Sequence, residues 1–229
     1  MKRTPRFNKW FPFLVQHDSK GQENLNEVYY ESCVKWLIEA TMIKKILITG
    51  FEPFDSDSTN PSGDFIDWMS NRKKSEDRLV SGVILPVTFD GAFLKFKKVY
   101  DEIYPDIVIL TGLAKNRMNL TIERIGINWV DARIPDNGGV TLKSQKIAAE
   151  GPDGLFTTVS IEEVIRLGES AGAVIKLSTS AGEYVCNELL YKALCYTQDK
   201  KTPVTFIHIP GAEDYDGIYL ALEAVINGL

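Results

Sequence analysis

Histidine and cysteine are the scarce residues of this chain: its 229 residues hold only two of the first and three of the second. Two histidines cannot build a histidine-rich metal site. Three cysteines without a CxxC spacing suit neither a disulfide framework nor a cysteine zinc site. Positive charge is also short, with 26 Lys and Arg against 31 Asp and Glu and a net charge of -5. Charge-driven binding of nucleic acid needs a concentrated basic surface, so that class is set aside. No apolar run reaches the roughly 18 residues of a membrane helix, which points to a soluble chain with no membrane partner. Hydrophobic residues at 44% and charged residues at 25% are ordinary globular usage and argue against disorder. The length suits one domain or at most two. Any histidine chemistry rests on His17 or His208.

The first 41 residues have a character of their own. Lys2, Arg3, Arg6 and Lys9 interleave with Phe7, Trp10, Phe11 and Phe13, and no acid precedes Asp18. The apolar stretch Phe11–Val15, broken by Pro12, is too short for a secretory signal. Asn26–Ala40 carries the spacing of an amphipathic helix, and Met42 then opens MIKKILITG, which reads as a natural start. Residues 1–41 are therefore an expected N-terminal appendage, with organellar targeting as the alternative. Residues 42–229 are an expected single α/β domain.

Beyond Met42, strands and helices alternate. Ile46–Thr49, Val80–Val87, Asp106–Leu110, Leu120–Val130, Ala173–Leu177 and Val204–Ile209 read as strands, Leu120–Val130 with one polar face. Phe65–Met69, Phe89–Tyr104, Ile161–Ser170, Tyr184–Tyr196 and Tyr219–Ile226 read as helices. Residues 131–156, rich in Gly, Pro, Asp and Asn, read as a long surface loop. The alternation predicts a three-layer α/β/α domain with a largely parallel, mixed central sheet of phosphorylase or hydrolase kind. Ligands of such sheets sit at the carboxyl ends of the strands, just past Thr49, Leu110, Leu177 and Ile207.

Cys186 follows Ser178-Thr179-Ser180-Ala181-Gly182, where a strand passes into a helix. A cysteine in the first helical turn feels the positive end of the dipole and unpaired N–H groups, which favour the thiolate that attacks. The competing reading is a buried structural thiol. Cys195, half a turn round the same helix, faces the other way and reads as core packing. His208 lies near the end of an apolar strand; a satisfied core histidine is its plain reading, general acid/base its functional one. Glu123 is a carboxylate inside an apolar strand, where burial demands a partner. It either orients an imidazole or pairs with an arginine, Arg124 and Arg133 being nearest. Arg133 alone reads as a structural ion-pair partner.

These segments together resemble the pyroglutamyl peptidases, a family of cysteine peptidases, from Ile43 to the end and in the same order. The matching stretches are TGFEPF at 49–54, Asn60-Pro61, LP at 85–86 and PDI at 105–107. They continue with ERI at 123–125, DARIPDN at 131–137, SAGEYVCN at 180–187 and FIHIP at 206–210. The resemblance implies a triad of Cys186 as nucleophile, His208 as acid/base and Glu123 as orienting carboxylate. It also implies Arg133 beside the oxyanion, and Phe51 and Phe54 holding a lactam ring. The implied reaction removes an N-terminal L-pyroglutamyl residue from a peptide through a thioester, in the cytoplasm, with no metal and no organic cofactor. A pyroglutamyl terminus has no ammonium, so an apolar aromatic slot accepts it. Its lactam N–H and C=O still need partners.

Some positions depart from the family's pattern. Asp55-Ser56 stand where glycines are usual, Lys115 and Asn116 replace small residues, Gly126 replaces alanine, and the segment after Pro210 is short. The last bears on subunit contacts in any homo-oligomer. Two other readings follow from the sequence: a non-catalytic relative that binds a lactam or peptide terminus, and a different α/β enzyme such as a nucleoside phosphorylase. The second is opposed by the lack of a glycine-rich phosphate loop.

Overall fold

The computed structural model describes residues 43–72 and 77–229, with the short strands β1 (Val15–His17) and β2 (Glu23–Leu25). The chain divides into two compact units, Met1–Lys44 and Lys45–Leu229. In the first, β1 and β2 pair antiparallel, with His17 opposite Glu23. The helix expected over Asn26–Ala40, and Cys33 within it, lie outside the described residues.

The second unit is built on a six-stranded sheet. Its strands are β3 (Lys44–Phe51), β4 (Arg78–Leu85), β5 (Ile107–Ala114), β6 (Leu120–Glu123), β9 (Ile175–Ser178) and β10 (Val204–Pro210). They lie in the order β4-β3-β5-β10-β6-β9. β5 runs parallel to both β3 and β10, whereas β6 is antiparallel to β10 and parallel to β9. The sheet is mixed and mostly parallel, as expected.

Alternation along the central strands divides the core in two. Ile46, Ile48, Ile107, Ile109, Ile207 and Ile209 face one side and pack with helices α1 (Pro61–Ser70), α3 (Ile161–Ser170) and α5 (Asp216–Gly228). Leu47, Val108, Leu110, Val204 and Phe206 face the other and pack with α2 (Gly91–Ile103) and α4 (Val185–Thr197). Strands covered on both faces are apolar at successive positions, and the period of two sorts their side chains into layers. Among the described residues no helix is long and apolar enough to cross a membrane.

Local chemistry sets the element boundaries. α1 begins at Pro61, not Phe65, because Asn60 accepts the Ser62 N–H and proline opens the first turn. Ser160 caps α3 in the same way, accepting from the Glu163 N–H. α2 ends where Tyr104 turns left-handed, at φ 51, just before Pro105.

The strand expected over Leu120–Val130 is two strands. β6 ends at Glu123, and β7 (Ile125–Ile127) leaves the sheet to pair with β8 (Gly154–Phe156). All four residues of β6 are buried, because β10 and β9 flank it and helices cover it; its polar face, Thr121 and Glu123, is turned onto Arg117 and not onto solvent. The 131–156 loop is correspondingly shorter, since β8 lies at its end. At Gly126 an added Cβ would stand 2.9 Å from the Tyr191 amide nitrogen. Glycine at this position lets β7 approach α4 closely.

Candidate active site

β3, β5 and β10 deliver their carboxyl ends to one cleft of about 580 Å³, a size that suits a small ligand. Phe51 enters it at the end of β3 and Phe54 from the segment that follows, and Leu113 to Arg117 from the end of β5 and its turn. His208 enters from β10, and Ser180 to Cys186 from the connection into α4. Arg133 and Ile134 close another side.

Cys186 occupies the second position of α4. The helix has no side-chain cap, so amides of its first turn remain to be met by something else. His208 is held in β10 directly opposite Gly112 of β5. An added Cβ on Gly112 would lie 3.0 Å from Cys186 Sγ, so the thiol and the imidazole converge on one glycine. No hydrogen bond joins Sγ to the imidazole here, a contact that often tightens only when substrate binds.

Behind the imidazole, His208 Nδ1 lies 2.7 Å from Glu123 Oε1. Glu123 is fully buried and His208 is 3% exposed. Burial alone would raise the Glu123 pKa. The hydrogen bond and charge of His208, helped by Ser178 and Arg117, bring it below the usual carboxylate value. An ionised Glu123 fixes the imidazole with its proton on Nδ1 and its other nitrogen free for chemistry. Burial holds His208 below its ordinary value, with Glu123 pulling the other way. Neutral imidazole is therefore the resting form at pH 7.

The thiol departs from expectation. Burial, with the Glu123 charge, pushes Cys186 up to about 12, against the opposing pull of Arg117. A helix N-terminus favours thiolate, but desolvation of a half-buried sulfur outweighs it, so the resting pair is neutral thiol and neutral imidazole.

The arginine that meets Glu123 is neither Arg124 nor Arg133. Arg117, in the turn after β5, places Nη1 2.5 Å from Glu123 Oε1. Arg133 is exposed at the cleft wall, and no ion-pair or hydrogen-bond partner meets it among the described residues. The structural ion pair expected of it is absent. Cys195 also corrects its expectation: it faces away from Cys186, but onto solvent rather than into the core.

Phe51 is buried and Phe54 half-buried. Phe54 packs on Tyr184, ring centroids 5.2 Å apart, and Phe89 meets the other side of Tyr184 at 5.3 Å. Tyr184, missed by sequence reasoning, donates to the Pro135 carbonyl and so fastens the Arg133 segment to α4. Of the departures, Asp55, Lys115 and Asn116 also face this cleft. Asp55 holds φ 58, so the loop retains a backbone shape that favours glycine. Asp57 and Lys115 pair at 2.5 Å across the rim.

A sequence model of the pyroglutamyl peptidase family matches residues 44–215. The chain belongs to this family. Among curated pyroglutamyl peptidase relatives, the pyrrolidone-carboxylate peptidase of Thermococcus litoralis is 38% identical over 174 residues, 75% of this chain and 79% of that one. The pyrrolidone-carboxylate peptidase of Pseudomonas fluorescens is 37% identical over 191 residues, 80% of this chain and 88% of that one. The crystal structure of pyrrolidone carboxyl peptidase from the hyperthermophile Pyrococcus furiosus superposes with a TM-score of 0.75. It is 33% identical and covers 80% of this chain and 96% of that one. The α/β architecture is thus the fold of a pyroglutamyl peptidase.

Proposed function

We propose that this protein is a cysteine exopeptidase that removes an N-terminal L-pyroglutamyl residue from peptides. The observation that carries the reading is the buried His208–Glu123 pair at 2.7 Å, in a cleft that also receives Cys186 at a helix N-terminus. Neutral His208 takes the thiol proton as Sγ attacks the carbonyl carbon that joins pyroglutamate to the next residue. The oxyanion meets first-turn amides of α4 and the unpartnered cation of Arg133, placed where charge develops. His208 then gives its proton to the departing amine, the C–N bond breaks and a thioester remains. Water, deprotonated by His208, attacks the thioester and releases pyroglutamate and the free thiol. Glu123 stabilises the imidazolium in both halves without itself taking a proton.

The lactam ring, which carries no ammonium, fits between the apolar rings of Phe51 and Phe54, while Asp57 of the same cleft is paired with Lys115. In this proposal residues 42–229 carry the chemistry, with no cofactor. A reducing compartment, the cytoplasm, keeps the thiol competent.

The test is release of a chromogenic amine from a pyroglutamyl amide under reducing conditions, beside a Cys186→Ser variant. The unmutated protein is expected to release it and the variant to fall by at least about a thousandfold. No release by the unmutated protein would sink the proposal in favour of a relative that only binds a lactam. That second reading draws on the high thiol pKa and the unmade Sγ–imidazole bond.

A further inference from the structure

The Glu123 oxygen that meets the imidazole carries a second bond. Arg117 Nη1 lies 2.5 Å from Oε1, the atom that His208 Nδ1 approaches at 2.7 Å. Arg117 Nη2 donates to the Ser180 carbonyl at 2.9 Å, and Nη1 also meets the Thr121 hydroxyl. The guanidinium is mostly enclosed, its side chain 26% exposed, and the carboxylate beneath it is fully buried.

Its two arms reach different parts of the site. Glu123 stands behind the base, whereas Ser180 belongs to the connection that runs from β9 into α4 and sets the position of Cys186. An ion pair made only to neutralise a buried carboxylate has no need of the second arm. The guanidinium is suited to both because its donors are held in a rigid plane and its charge is permanent.

The charges around His208 are few. β6 supplies Glu123, the turn after β5 supplies Arg117, β5 itself presents Gly112, and α4 presents the Cys186 thiol. A cation on the shared oxygen weakens the carboxylate's hold on the imidazolium, and the same repulsion opposes protonation of His208. The imidazole then stays a free base at rest and, once protonated, is a stronger acid toward the departing amine.

We propose that Arg117 is a positioning residue for the hydrolysis, holding Glu123 and the Ser180 backbone in one frame and limiting how tightly the carboxylate retains protonated His208. The inference rests on the peptidase reading.

Arg117→Met and Arg117→Lys test it through kcat and KM across the acid limb of the pH profile, with a thermal melt for each. Arg117→Met should lose about a hundredfold in kcat, keep its KM, and move the acid limb upward. Arg117→Lys should return the acid limb toward that of the unmutated protein but recover only part of kcat, since one ammonium cannot hold both arms. Added guanidinium should restore part of the Arg117→Met rate, a readout that a fold-only role would not produce. If Arg117→Met does not fold, the lysine variant decides alone: full kcat with an unmoved limb overturns the inference. A loss confined to KM, or a kcat and acid limb equal to those of the unmutated protein, also overturns it. An unmutated protein that releases no amine overturns the peptidase reading, and this inference with it.

Discussion

The Cys186 sulfur lies 3.0 Å from the point where a side chain on residue 112 would begin, and residue 112 is glycine. Gly112 is also the residue opposite His208 in the β5–β10 ladder. Only a missing side chain lets the proposed nucleophile come down onto the strand beside the proposed base.

Gly112→Ala should therefore displace Sγ. The same Cβ would lie 2.9 Å from the Phe206 ring, so the strain cannot be relieved on that side either. The expected outcome is a kcat reduced by about a hundredfold or more and a stability loss of about 1–3 kcal/mol. Steady-state kinetics and a denaturant melt check both; normal kcat would show that the thiol is not held against the strand.

The titration pattern predicts an asymmetric pH response. His208 must be neutral to take the thiol proton, and burial lowers its pKa from 6.5. The acid limb of kcat/KM should thus lie below pH 6.5. Because Cys186 is pushed up to about 12, iodoacetamide without substrate should react slowly at pH 7 and faster at every step to pH 10. A rate already level between pH 5 and 8 would show a preformed thiolate–imidazolium pair instead.

Two motif residues outside the proposed triad, Glu52 and Asn137, frame the proposed aromatic slot. The Asn137 amide donates to Glu52 Oε1 at 2.8 Å and to the Pro53 carbonyl at 2.9 Å, while Glu52 Oε1 also accepts the Val87 N–H. These bonds tie the segment bearing Phe51 and Phe54 to the segment bearing Arg133. Asn137→Ala should raise KM for a pyroglutamyl amide about tenfold with a smaller change in kcat, as expected for loss of about 1–2 kcal/mol of ordering. An effect confined to kcat would contradict the assignment.

The Lys115–Asp57 pair at the rim is more than a quarter exposed on both sides, so its contribution to stability is below about 1 kcal/mol. Its influence belongs to the cleft entrance. Salt should raise the KM of the unmutated protein and leave that of Lys115→Ala unchanged, because only the former has a pair to screen. Parallel salt curves for the two proteins would dissociate the pair from substrate entry.

Much of the fold was legible because its signals are local. Apolar runs at Ile46–Thr49 and Val204–Ile209 announce their elements within a few residues. The division of Leu120–Val130 was not legible, since nothing in its alternation shows that β6 is enclosed by β10 and β9 while β7 departs to pair with β8.

The sequence by itself determined the layered α/β pattern and, through scarcity, narrowed the histidine and cysteine candidates to the few from which the proposed pair is drawn. It also confined Glu123 to a setting that demands a partner. Tertiary structure alone decided the partners. Arg124 is next in sequence, yet neighbours along extended chain face opposite ways, and the sheet order instead brings the turn after β5 over Glu123. Arg117 is therefore the cation that reaches it, and Arg133 in the cleft wall meets no partner among the described residues. The thiol's ionisation is likewise non-local: a helix N-terminus favours thiolate, but enclosure by β5, β10 and the Glu123 charge reverses the sign. Periodicity is a property of a segment, whereas adjacency and desolvation arise only when distant segments meet.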